Sequence, residues 1–116
     1  MHVLVVEDDT AIREFVAEAL ADEGHQVRLA GHGAAALEAV RSAPPDLILL
    51  DMRMPVLDGW EFARRYRAAP GPHAPIVCMT AAADAAARAA AIRADATLAK
   101  PFDLVALLSV VEHFAA

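Results

Sequence analysis

The chain has 116 residues and a net charge of −6, which indicates a single domain (residues 1–116) and disfavours direct binding to nucleic acid. It contains one cysteine, Cys78, so no intramolecular disulfide can form, and a reducing, cytoplasmic location is expected. The N-terminal stretch MHVLVVEDD lacks a signal-peptide pattern, and no apolar run reaches the roughly 18 residues of a membrane span. We therefore expect a cytoplasmic domain with no direct membrane or nucleic-acid partner.

The first half of the chain alternates between apolar runs and amphipathic segments. Residues 3–6 form an apolar run that predicts a buried strand. A helix stopped at Gly24 is predicted by inward-facing apolar residues at helical spacing, namely Ile12, Phe15, Val16, Ala19 and Leu20. Residues 27–29 predict a half-exposed strand. Gly33 then begins a second helix, whose apolar residues Leu37 and Val40 are expected to face the core.

The second half repeats this alternation. Residues 47–50 are a continuous apolar run that ends at Asp51. Asp58 and Glu61 have the spacing of a capping box and predict the start of a third helix. Residues 76–79 and 97–99 predict two more strands. The alanine-rich segment between those strands and the segment from residue 104 onwards both predict helices.

Five strands that alternate with five helices predict an α/β fold with a doubly wound parallel sheet, the flavodoxin-like (βα)5 arrangement. The first, third and fourth predicted strands are apolar throughout, as central strands of such sheets are. The second is amphipathic and the fifth is short, so both suit the edges. We therefore predict the strand order 2-1-3-4-5. Cys78, Trp60 and Tyr66 are expected to be core residues.

Polar side chains follow the predicted strands where ligands bind in this fold class, at the carboxyl ends of the strands. Glu7 and Asp8 follow the first strand, Asp51 the third, Thr80 the fourth and Lys100 the fifth. Because the first and third strands are neighbours, the three carboxylates should converge. Converging carboxylates repel one another, and Mg²⁺ is the cation that best relieves this repulsion with few protein ligands.

A carboxylate, a metal, a lysine and a hydroxyl together form a constellation suited to phosphoryl transfer. Asp51 is the predicted covalent acceptor, with Lys100 and Thr80 placed for phosphoryl oxygens. Pro55 and Gly59 are expected to shape the loop beside the acceptor. The plainer interpretations are that Asp51 ends a strand, that Glu7 and Asp8 form a solvated turn, and that Thr80 caps a helix. Asp9 is predicted to be a helix cap rather than a ligand.

The sequence resembles the receiver (CheY-like) domain of two-component response regulators. The resemblance is carried by LVVEDD, LLDMRMPVLDGWEF, IVCMTA and LAKPF, in the family's order and spacing over the whole chain. It implies that Asp51 accepts a phosphoryl group from a sensor histidine kinase or a histidine phosphotransfer protein, with slow self-catalysed loss and no enzymatic turnover. It also implies that Asp8, Asp51 and the main-chain carbonyl of Arg53 bind Mg²⁺, with Glu7 acting through water.

Three features depart from the family pattern. Thr97 stands where an aromatic switch residue is usual, and Arg93 stands where a glycine is usual. Arg53 and Ala82 occupy positions at which family members tune the phosphoryl lifetime. The surface of residues 81–108 is still expected to meet a downstream protein, with modest differences between the two states.

Two other functions remain open at this point. One is a docking module that is never phosphorylated. The other is a phosphatase with an aspartate nucleophile, a class that needs a second aspartate two residues after the nucleophile, where this chain has Arg53.

Overall fold

The structure is a computed structural model that describes residues 1–54 and 56–115. Its strands and helices, in chain order, are β1 (His2–Val6), α1 (Thr10–Asp22), β2 (Gln26–Ala30), α2 (Gly33–Ser42), β3 (Leu47–Asp51), α3 (Gly59–Ala68), β4 (Ile76–Ala81), α4 (Ala85–Ile92), β5 (Ala96–Lys100) and α5 (Leu104–Ala115). A single 3-10 turn, Ala82–Asp84, precedes α4. Pro55, which was expected to shape the acceptor loop, lies outside the described residues.

The five strands form one parallel sheet in the order β2-β1-β3-β4-β5, which confirms the predicted fold and strand order. The register pairs Val6 with Leu50 and Leu50 with Cys78, so the carboxyl ends of β1, β3 and β4 meet at one edge. All five residues of β3 are buried, as expected for the central strand. The sheet therefore brings the residues that follow these strands to a common edge.

The core has one layer on each face of the sheet. Alternate strand residues pack with α2, α3 and α4 on one face, where Phe62 and Tyr66 of α3 stack with ring centroids 5.7 Å apart. The other face packs against α1 and α5 through Val16, Leu20, Leu107 and others. Cys78 lies in the first layer and is fully buried, and this burial raises the pKa of its thiol to about 11. Cys78 and Tyr66 are thus core residues, as predicted.

Several apolar side chains lie elsewhere than their spacing predicted. Phe15 is 42% exposed and packs beside Phe102, with the ring centroids 6.4 Å apart. Trp60 is 38% exposed, so its assignment to the core is wrong. In α2 the buried side chains are those of Ala36 and Ala39, because a short side chain lets the helix lie close to the sheet; Leu37 and Val40 are partly buried and pack against the same core, as predicted. None of the helices in the described residues is long and apolar enough to cross a membrane.

Candidate functional site

The carboxyl edge of the sheet carries a compact cluster of charged residues. Asp51 is the last residue of β3 and is 4% exposed. Glu7 follows β1 and is fully buried, whereas the neighbouring Asp8 is exposed. One carboxylate oxygen from each of these three residues lies within 4.8 Å of the others. The predicted convergence of the three carboxylates is therefore present in the structure.

Lys100 reaches this cluster from the end of β5. Its Nζ lies 2.5 Å from Glu7 Oε1 and 3.3 Å from Asp51 Oδ1. The side chain is about four-fifths buried, so both contacts are made in a partly desolvated setting. Lys100 therefore connects the outer strand β5 to Glu7, which follows β1, and to Asp51 at the end of β3.

The electrostatics of the cluster follow from this burial. The pKa of Glu7 is raised to about 8, first because burial disfavours its charged form and then because Asp51 lies beside it; Lys100 opposes this shift without offsetting it. Burial by itself would lower the pKa of Lys100, but Glu7 and Asp51 outweigh it and raise that pKa. Burial and the neighbouring Asp51 thus favour the protonated form of Glu7 more than in an exposed glutamate.

The donor atoms of the cluster suit a hard divalent cation. Glu7 Oε2 is buried without a hydrogen-bond partner among the described residues, although a buried carboxylate oxygen normally has one. The exposed Asp8 leaves the cluster open to solvent on one side. Carboxylate and carbonyl oxygens are the ligands that Mg²⁺ prefers, and an open side leaves room for the waters it retains.

The loop after Asp51 is held close to the site by Gly59. A Cβ atom at Gly59 would lie 2.8 Å from Met52 Cα and 2.9 Å from the Asp51 carbonyl oxygen, so only glycine fits here. The main-chain N–H of Arg53 donates to Asp51 Oδ1 at 3.3 Å. Asp58 accepts from the Glu61 N–H at the start of α3, which confirms that the helix begins here. Glu61 itself binds Arg64 and Arg65, so the reciprocal half of the capping box is absent.

Thr80 lies near the end of β4, is 4% exposed, and pairs in register with Ala99 of β5. It does not cap the following helix, because α4 starts only after the 3-10 turn, with Asp84 at its N-cap position. The plainer interpretation of Thr80 is therefore wrong. Asp9 accepts from the Ile12 N–H at 3.1 Å and caps α1, as predicted.

A group beside the site was not predicted. Asp84 Oδ2 lies 3.7 Å from Arg53 of the acceptor loop and 3.6 Å from Arg88 of α4. The Arg88 guanidinium carbon lies 4.8 Å from the centre of the Trp60 ring. The spacing of four residues between Asp84 and Arg88 was a signal that could have indicated their ion pair. No feature of the sequence indicated that Trp60 would be the fourth member of this group.

Comparison with known proteins gives one consistent result. The family described as "Response regulator receiver domain" matches residues 3–112. The response regulator MprA of Mycobacterium avium is 41% identical over 111 residues, which are 94% of this chain and 48% of that protein. MprA of Mycobacterium tuberculosis is 40% identical over the same length. The chain thus spans about half the length of the curated relatives it matches.

Solved structures agree with the sequence comparison. The receiver domain of NtrX from Brucella abortus is 33% identical with a TM-score of 0.87, and the match covers 97% of this chain and 96% of that one. The chemotaxis response regulator CheY4 of Vibrio cholerae is 32% identical with a TM-score of 0.88, and the match covers 97% of each chain.

Proposed function

The chain belongs to the response regulator receiver domain family, and on that premise we propose that it is a phosphoacceptor domain of a two-component pathway. Asp51 takes the phosphoryl group, and the adduct shifts the domain between an inactive and an active state. Loss of the group is slow and self-catalysed, so the domain is not a turnover enzyme. The donor is a sensor histidine kinase or a histidine phosphotransfer protein, and the location is cytoplasmic.

The observation that carries this proposal is the position of Lys100. Its ammonium group contacts Asp51 and Glu7 together, although the three residues come from three different strand ends. Lys100 neutralises part of the negative charge of the two buried carboxylates. In phosphoryl transfer the same cation would neutralise the charge that develops on the transferred group.

In the proposed step a carboxylate oxygen of Asp51 attacks the phosphorus of the donor's phosphohistidine. The new P–O bond forms while the P–N bond breaks, and the imidazole leaves with the electron pair. Lys100 then pairs with a phosphoryl oxygen, and the Thr80 hydroxyl donates to another. Asp51 is nearly buried, so the donor has to present its phosphoryl group at the open side of the cluster, next to Asp8.

The metal in this proposal is Mg²⁺, which supplies charge neutralisation between the carboxylates and the incoming phosphoryl oxygens. Asp8, Asp51 and the Arg53 carbonyl are the proposed direct ligands, and Glu7 acts through water. The unpartnered Glu7 Oε2 supports this assignment, because a metal-bound water would give that oxygen a donor. Metal binding should lower the pKa of Glu7, because a nearby cation favours the charged form of the carboxylate.

Residues 81–108 are the proposed contact surface for a downstream protein. Thr97 is exposed on β5 and has no ring to move inward, so we expect only modest change on this surface when Asp51 is loaded. Amide chemical shifts with and without a beryllofluoride adduct would test this. Large shifts throughout the segment would show that switching does not need an aromatic side chain at position 97.

Acetyl phosphate with Mg²⁺ separates the three candidate functions. We expect a mass increase of about 80 Da at Asp51, the mass of a phosphoryl group. Rapid turnover of a generic phosphate ester would instead indicate a phosphatase, and no adduct would indicate a docking module. Asp51→Asn should abolish the adduct while the domain stays folded. Labelling of that variant at the wild-type rate would rule out Asp51 as the acceptor.

A further inference from the structure

Asp84 departs from what an aspartate normally does at the start of a helix. The aspartates that begin the other site-adjacent helices, Asp9 and Asp58, each accept a hydrogen bond from the N–H three residues on. Asp103 accepts in the same way from Ala106 N–H. Asp84 occupies the N-cap position of α4 but makes no such bond. Its carboxylate is turned to two arginines instead, one in its own helix and one, Arg53, in the acceptor loop.

The two arginines belong to different parts of the molecule. Arg53 lies in the acceptor loop, and its own N–H donates to Asp51 Oδ1. Arg88 lies one turn into α4, with its guanidinium over the ring of Trp60 in α3. A continuous series of contacts therefore runs from the acceptor oxygen through Arg53, Asp84 and Arg88 to Trp60.

Arg88 is incompletely satisfied in this arrangement. Its side chain is only 13% exposed, yet its Nε is buried without a hydrogen-bond partner among the described residues. A buried donor left unpaired is unfavourable, so a rearrangement that gives it an acceptor or returns it to water is favoured once the neighbouring contacts change. Arg88 is thus the residue in this series for which a second side-chain conformation is most favoured.

We propose that Asp84 is a positioning residue that couples the acceptor loop to the cleft between α3 and α4. Loading of Asp51 occupies the oxygen to which the Arg53 N–H donates, which shifts the Arg53 main chain and with it the ion pair to Asp84. The ion pair between Asp84 and Arg88 then changes, and the Arg88 guanidinium moves relative to the Trp60 ring. This inference rests on the proposed phosphoacceptor function. In it, the conformational change at Asp51 is transmitted to the α3–α4 side of the domain.

The magnitude of each link decides what to expect. Arg53 is 76% exposed and Asp84 42% exposed, so their ion pair is individually weak and screened by salt. The Arg88 side chain is 13% exposed, so its contacts with Asp84 and Trp60 are less screened by solvent. Removing the shared carboxylate should therefore weaken transmission without unfolding the helix.

The chain carries its own probe, because Trp60 is its only tryptophan and its ring contacts the Arg88 guanidinium. In wild type, the beryllofluoride adduct at Asp51 can be detected by ¹⁹F NMR. Formation of this adduct should change the fluorescence of Trp60. In Asp84→Asn the adduct should still form, while the Trp60 change should fall by about twofold or more. Asp84→Glu should restore it. Glu38→Gln removes the same charge from an exposed ion pair on α2 and should leave both signals unchanged.

A double-mutant cycle gives the second readout. Arg53→Ala alone should reduce the Trp60 fluorescence response. The same change should cause no further reduction in the Asp84→Asn variant, because both substitutions remove the ion pair between Arg53 and Asp84. An adduct that forms normally in Asp84→Asn with a full Trp60 response would overturn this inference alone. Absence of the adduct in wild type would overturn the phosphoacceptor function as well, and the missing ¹⁹F signal would identify that outcome.

Discussion

Helices α3 and α4 lie side by side on the same face of the sheet and follow the two strands that carry Asp51 and Thr80, but they are held in different ways. Helix α3 inserts the stacked rings of Phe62 and Tyr66 into the core. Helix α4 has one buried side chain, Ile92, in a run of alanines. Because buried apolar area provides most of the stabilisation, α3 is firmly anchored and α4 is the helix that can shift.

The turn at the end of α4 adds to this contrast. Arg93 takes a left-handed conformation, with φ at 52°, at the position where the family usually has glycine. The guanidinium of Arg67, from α3, donates to the carbonyls of Ile92 and Arg93. The end of α4 is thus held by these polar contacts together with the buried side chain of Ile92, and the start of α4 by the contacts of Asp84.

The largest expected effect comes from weakening α3. Phe62→Ala should lower the free energy of unfolding by about 3–5 kcal/mol, because it leaves a cavity under a fully buried ring. Urea denaturation would measure this. Phe15→Ala is the matched control, since that ring is 42% exposed, and it should cost less than half as much. Equal losses from the two changes would show that the Phe62 ring does not anchor the helix.

Ile92→Ala tests the single anchor of α4. We expect a loss of about 2 kcal/mol, at the low end for such substitutions, because the thinly packed helix can settle into the space. The loss should appear first as local opening of α4, seen as faster amide hydrogen exchange at residues 85–92 with β1, β3 and β4 still protected. Faster exchange throughout the sheet would mean that α4 opens only with the whole domain.

Helices α3 and α4 both begin near the carboxyl edge of the sheet. A change of charge at this edge should therefore leave the difference in their anchoring unchanged. The pKa of Glu7 is raised from 4.5 to about 8, so the folded state holds a proton that the unfolded chain releases at lower pH. The contribution of Glu7 to stability is therefore greatest below pH 4.5 and falls as the pH rises towards 8. We expect the free energy of unfolding to fall by at least about 1.4 kcal/mol over this range, the equivalent of one pKa unit.

Thermal unfolding in EDTA across this pH range would measure the Glu7 contribution. Glu7→Gln keeps a neutral side chain of the same size and should flatten the curve. Mg²⁺ should also reduce the fall, since a bound cation stabilises the charged carboxylate. A curve for Glu7→Gln that matches wild type would assign the pH dependence to other groups.

Arg67→Ala removes the contact from α3 to the end of α4. We expect a loss of about 1–2 kcal/mol in the free energy of unfolding, because two carbonyl acceptors lose a charged donor and the one on Ile92 is partly buried. Hydrogen exchange should again quicken in α4 rather than α3. Arg65→Ala is the control on the same helix, since Arg65 binds only Glu61 among the described residues, and its effect should be near zero.

The smallest effect should be a gain. Arg93→Gly relieves the left-handed conformation and should raise the free energy of unfolding by roughly 0.5–1 kcal/mol, a value reduced by the greater freedom of glycine in the unfolded chain. Arg93→Ala keeps the same strain and should give no gain. A gain from both variants would mean that the arginine side chain, not the backbone conformation, is unfavourable.

The sequence was sufficient to predict the sheet order and the convergence of Glu7, Asp8, Asp51 and Lys100. Apolar runs mark central strands, and parallel strands bring whatever follows them to one edge. The same reasoning failed at Trp60 and Phe15, because helical spacing predicts which residues share a face without indicating how far the neighbouring helix covers it. Most residues of α4 are alanines, whose side chains are too short to cover Trp60. The indole therefore lies at the surface against Arg88.

The contacts at the start of α4 were only partly predictable. Asp84, a typical N-cap residue in an otherwise alanine-rich segment, marks the start of the helix, but nothing in the sequence indicates the turn before it or the contact with Arg53. The structure places a 3-10 turn there and gives Asp84 two ionic contacts in place of a cap. Such contacts depend on the distance between the acceptor loop and α4, which only the folded chain sets.

The deep burial of Cys78 has a practical consequence for following α4. Thiol reagents attack the thiolate, and a fully buried group with a pKa near 11 offers almost none at neutral pH. A cysteine introduced on the exposed side of α4 would then be the only thiol that a maleimide or a nitroxide label modifies in the folded protein. Pairs of such labels on α3 and α4 could measure the distance between the two helices without first removing the native cysteine from the core.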